Sequence, residues 1–158
     1  MKVAGLLGGL ADLKQKNMNW KKFFIAFIAA WVFVFVYEWV FHGMILHSSY
    51  AEIATVMRAP ADIKFPLLML GQAVFVFFFA LIFVRGFGSG GGTAGGFRYG
   101  VLVGLFLCGL NLIDYAVQPL TTTILIAWCI GAIIEFAIAG AIVGVIYKPA
   151  GPASSPMS

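Results

Sequence analysis

Four long apolar blocks decide most of what this chain can become. They run from about residue 23 to 46, 65 to 84, 99 to 118 and 121 to 147. Each reaches the roughly 20 residues that an α-helix needs to cross the hydrocarbon of a bilayer. Composition agrees with that reading. Only 10% of the residues are charged and 62% are hydrophobic, whereas soluble domains carry about 25% charged residues. A soluble fold of this length has no interior large enough to hide so much apolar surface. The expected fold is an all-α bundle of four transmembrane helices, with both ends on the cytoplasmic side.

Charge sets the orientation. Lys2, Lys14, Lys16, Lys21, Lys22, Arg85, Arg98 and Lys148 fall on one side of the spans, and only Arg58 and Lys64 on the other. Cytoplasmic loops carry the excess of Lys and Arg, so both termini are expected in the cytoplasm. The net charge of +4 is thus a matter of topology, and no nucleic-acid partner is expected. The chain divides into a cytoplasmic segment 1–22, a membrane domain 23–148 and a Pro- and Ser-rich tail 149–158 expected to be disordered. Val3, Leu6, Leu7, Leu10 and Leu13 keep helical spacing. They fit a short retained helix lying in the membrane interface, or a frayed tail. Ser49 to Met57 is expected to form a short surface helix outside the membrane, and residues 85–97 a flexible glycine-rich linker. That linker contains the letters GxGxxG, but no strand precedes them, so a connector is expected rather than a nucleotide site.

Ionisable groups inside spans are costly and mark the informative positions. Glu38 and His42 lie four apart on one face of the first span. Gln72 lies in the second span, and Asn111 and Asp114 in the third. At about 1.5 Å per residue, these groups share a layer in the outer half of the membrane. Two readings stay open. The layer is a hydrogen-bonded clasp, with Arg58 of the outer loop as a further partner, or it is an outward-facing site for a cation, a proton or a small polar ligand.

Small residues mark packing faces. Gly100 and Gly104 share a stripe with Asn111 and Asp114, while Ala137, Gly140 and Gly144 form a ridge on the fourth span. Glu135 lies well over 90° from that ridge at about 100° per residue. It is expected near the midplane and apart from the polar layer. It is either neutral and bonded to the second span, or covered by another polypeptide or a cofactor. Cys108 and Cys129 read as packing residues. Sixteen phenylalanines serve as lipid-facing filler or as a surface for quinone, pigment or partner helices. No cofactor or metal is called for. The two histidines within and beside the first span, His42 and His47, are five apart and cannot both bind one haem iron. No nucleophile–base pair is visible, so an enzyme is not expected.

The run Tyr37-Glu38-Trp39-Val40-Phe41-His42-Gly43-Met44-Ile45-Leu46, with Tyr50 and Arg58 beyond it, resembles a pattern in small, uncharacterised four-span bacterial membrane proteins. The resemblance covers roughly residues 23 to 148. It implies a bacterial inner-membrane location and joint action of Glu38, His42 and Arg58, and it carries no activity. Two functions are expected from the sequence. The first is an accessory subunit of a larger, energy-transducing membrane complex, in contact with lipid and other membrane subunits. The second is a small transporter or ligand-binding protein with its site at Glu38, His42, Asn111 and Asp114.

Overall fold

A computed structural model describes residues 18–87 and 91–147. The interfacial helix expected near the N-terminus, Lys148 and the tail 149–158 lie outside the described residues. Helix α1 spans Trp20–Val40 and continues as a π-helical turn over Phe41–Ile45. A short helix α2 covers His47–Ala51, and a 3-10 turn covers Pro60–Asp62. Helices α3 (Phe65–Phe87), α4 (Gly92–Val117) and α5 (Thr122–Ile146) complete the chain. No strand occurs among the described residues. Four helices are long and apolar enough to cross a membrane. The protein is a multi-pass, all-α membrane bundle.

Two spans start on side-chain caps. The Asn19 side chain accepts a hydrogen bond from the Lys22 amide at 3.0 Å, and Thr121 Oγ1 accepts from the Ile124 amide at 3.3 Å. Each satisfies a donor that the first helical turn leaves free. The Asn19 amide also donates to the Tyr147 hydroxyl at 3.1 Å, which ties the start of α1 to the end of α5.

Helix α5 is the most buried span and α4 the least. The reason is order in space: α5 packs on α4 with one face and on α1 with another, and α1 in turn packs on α3. Phe23, Ala26, Ala30 and Val34 line one side of α1 at helical spacing. They meet Val76, Phe79, Ala80 and Phe83 of α3 and Phe136, Ala139 and Val143 of α5. Tyr99 joins them from α4 and donates its hydroxyl to the Phe79 carbonyl at 3.0 Å. In lipid this packing gains van der Waals contact rather than hydrophobic free energy.

The glycine-rich linker is shorter than its composition implies. Helix α3 runs to Phe87 and α4 begins at Gly92, so Gly95 and Gly96 are helical rather than part of a loose connector. Gly92 itself has φ of +48°, a conformation that glycine adopts without steric cost. The helix extends because α4 and α5 meet backbone to backbone. A Cβ on Gly96 would strike the Gly140 carbonyl, one on Gly100 the Phe136 carbonyl and one on Gly144 the Gly92 carbonyl. One on Gly104 would sit 2.6 Å from the Ile133 Cα. Close approach offsets the helix cost of glycine, about 1 kcal/mol per residue. The outer surface helix also differs from expectation. It ends at Ala51 and turns follow, with Ile53 buried against Leu120 and Ile124.

Candidate functional site

Glu38 and His42 sit where α1 changes to π geometry. Within that turn the Leu46 amide bonds to the Phe41 carbonyl, five residues back, at 2.9 Å. Such single π turns are frequent at functional sites because they shift the phase of the residues that follow. The His42 Nε2 lies 3.5 Å from Glu38 Oε2. On its other side, His42 Nδ1 is hydrogen-bonded to the Tyr50 hydroxyl of α2. Tyr50 in turn accepts from Trp128 Nε1 of α5 at 2.9 Å.

Donor counting orients this chain. Indole nitrogen is a donor only, so the Tyr50 oxygen accepts there and its own proton is free for His42 Nδ1. The His42 proton then sits on Nε2, facing the Glu38 carboxylate. A four-residue relay results, Glu38–His42–Tyr50–Trp128, which links α1 to α5 through α2. Burial pushes the Tyr50 phenol above its usual value, Trp128 opposes this through its hydrogen bond, and the charge of Glu38 adds to the rise.

The relay borders a cavity of about 270 Å³ between α1, α4 and α5. From α1 come Tyr37, Glu38, Phe41 and His42; from α4, Leu107 and Asn111. Helix α5 supplies Trp128, Gly131, Ala132, Glu135 and Phe136. Tyr37 donates its hydroxyl to the Gly131 carbonyl at 3.1 Å, and the Phe41 ring lies over Gly131, where a Cβ would stand 2.6 Å from it. The absent side chain at Gly131 is what allows α1 to come this close to α5.

Glu135 is only 4% exposed, and its Oε1 has no hydrogen-bond partner among the described residues. This position corrects the expectation that it stands apart from the polar layer. Helix α5 is central, so both of its faces are interior. The Gly140–Gly144 ridge turns to α4, and the Gly131–Glu135 face turns to α1 and the cavity. Glu135 therefore shares the cavity with Glu38, His42 and Asn111, rather than bonding to the second span.

Other polar residues lie elsewhere. Asp114 accepts from Gln118 Nε2 at 3.5 Å, one turn along α4, and does not line the cavity. Gln72, on α3, keeps its Oε1 buried without a partner among the described residues, also outside the cavity. Arg58 is exposed and borders a separate surface groove with Lys64 and Leu68. Among the described residues no ion pair joins it to Glu38 or His42. Tyr50 and Trp128 are the site residues that the sequence did not single out as polar partners. Trp128 arrives through tertiary contact from α5, while Tyr50, eight residues beyond His42, is named with the run that carries the resemblance but has no role there. Cys108 donates its thiol to the Cys129 carbonyl at 3.4 Å between α4 and α5. Among the described residues, no group of three or more His, Cys, Asp and Glu is placed to hold a metal ion.

Comparison with protein-family models, characterised proteins and solved structures finds no match to this chain.

Proposed function

We propose that this protein is a small ligand-binding or transport protein of the membrane, whose cavity at Glu38, His42, Asn111 and Glu135 takes a cation or a proton. The observation that carries the reading is the pair of carboxylates, Glu38 and Glu135, on one intramembrane cavity, with Glu135 Oε1 lacking a partner among the described residues. A carboxylate in such a place is unfavourable unless a proton or a cation compensates it. His42 holds Glu38 in position, and Tyr50 holds His42. Glu38 and His42 each keep about a third of the side chain exposed, 36% and 35%, so neither is sealed inside the bundle. The orientation that fits has the termini in the cytoplasm of a bacterium and the cavity in the outer half of its inner membrane. Lys21, Lys22, Arg85 and Arg98 support that placement.

The test is flux in proteoliposomes. Wild type is expected to pass protons or monovalent cations down an imposed gradient, and Glu38→Gln and Glu135→Gln to reduce the flux at least about tenfold. Equal flux in wild type and both variants counts against the reading.

A second reading is the accessory subunit of an energy-transducing complex. Its support is the broad apolar surface of α4, with Leu102, Phe106, Ile113 and Val117 each more than 60% exposed. Lipid covers such a surface equally well. Glu135, which would have marked a partner face, is taken up by the cavity. Purification in mild detergent distinguishes the two, since a subunit carries stoichiometric partners with it.

A further inference from the structure

Resting on the cation-site reading, we infer that the cavity takes a small primary ammonium carrying a compact apolar substituent, rather than a bare metal ion. Three polar side chains from three helices line the cavity: Glu38 of α1, Asn111 of α4 and Glu135 of α5. A primary ammonium has three N–H donors and no acceptor, which matches two carboxylates and one amide oxygen. An alkaline-earth ion takes six or more oxygens, and no group of three or more His, Cys, Asp and Glu among the described residues is placed to hold a metal ion. His42 adds no ligand of its own, because Tyr50 occupies Nδ1 and the Nε2 proton faces Glu38.

The remainder of the wall is apolar and aromatic. Phe41, Trp128 and Phe136 line it, with Leu107 and Ala132 between them. Aromatic faces favour an adjacent cation and also accept its hydrocarbon part. A volume of about 270 Å³ equals roughly nine waters at about 30 Å³ each. A branched alkylammonium of about five heavy atoms therefore fits within it.

Isothermal titration calorimetry on the full chain in a non-ionic detergent tests this with four probes. Isobutylammonium is expected to bind, and its neutral counterpart isobutanol to bind at least about tenfold more weakly. Tetramethylammonium, which has no N–H, is expected to bind more weakly than isobutylammonium, and sodium chloride not to compete with it. Glu135→Gln and Asn111→Leu should each weaken isobutylammonium by about tenfold or more. A thermal unfolding curve verifies that both variants fold. If Glu135→Gln does not fold, Asn111→Leu and the probe series decide alone.

Equal binding of isobutanol would overturn the inference and leave an apolar hole. Equal binding of tetramethylammonium would overturn the hydrogen-bonded ammonium. Binding of sodium or of a proton at Glu135, without isobutylammonium, sinks the ammonium inference and leaves the broader cation site standing. Absence of every cation and of proton uptake brings down both.

Discussion

Tyr50 couples the loop between α1 and α3 to the first and last spans, and its titration gives that coupling a measurable sign. Burial holds the phenol above its ordinary value of 10.0. Below pH 10 the folded and unfolded chains both carry the proton, and the contribution to stability is complete. As pH rises past that point the unfolded chain loses the proton first, so stability falls until the folded phenol ionises as well. The fall in melting temperature between pH 9 and 11 is therefore expected to be shallower in Tyr50→Phe than in wild type. Near pH 7 the same variant leaves the Trp128 N–H without its acceptor and should lose about 1–3 kcal/mol. Glu135 supplies the opposite case. Its Oε1 is buried without a partner among the described residues, so Glu135→Leu is expected to raise stability by about 1 kcal/mol or more while abolishing cation binding. A loss of stability in Glu135→Leu would mean that the carboxylate has a structural partner, and the site reading would lose its main support.

The pairing of α4 with α5 is decided by glycines that do different work along one helix. Gly100 faces the backbone of Phe136 and Ala137, whereas Gly95 and Gly109 have nothing within 4 Å of an added Cβ. Gly100→Ala is expected to destabilise the bundle by about 1–3 kcal/mol or more, because backbone cannot move aside as a side chain can. Gly95→Ala and Gly109→Ala should be neutral or stabilise by up to about 1 kcal/mol through helix propensity. Reversible unfolding of the three variants in detergent or bicelles measures the contrast; similar losses in all three would contradict the backbone contact. The glycine stripe was legible in the sequence as Gly100, Gly104, Gly140 and Gly144. Its extension to Gly92 and Gly96 was not. Glycine-rich composition reads as a linker until a facing helix is known, and that helix begins only at Thr122.

Across the whole molecule, four spans place Asn19 and Tyr147 at the same end, joined by a hydrogen bond. Reporter fusions after Tyr147 are expected to score cytoplasmic, and insertions in the loop at Thr55 to score external. The reverse pattern would invert the cavity and contradict the charge argument. The four spans were readable from the chain alone because hydrocarbon rewards an unbroken apolar run, whatever its neighbours are. Glu38 and His42 could be put on one face for a similar reason: residues four apart on a helix are neighbours by local geometry. Glu135, Tyr50 and Trp128 could not be assigned to them that way. Their membership depends on α5 lying between α1 and α4, with both faces interior, and on Ile53 pinning the loop after α2 over Leu120 and Ile124. Helix order in space is set by which faces pack closest, here glycine against glycine on one side of α5 and Phe41 over Gly131 on the other. Hydropathy and helical phase describe one helix at a time, so the bundle and a polar stripe could be read from them, while the cavity arose only when three helices met.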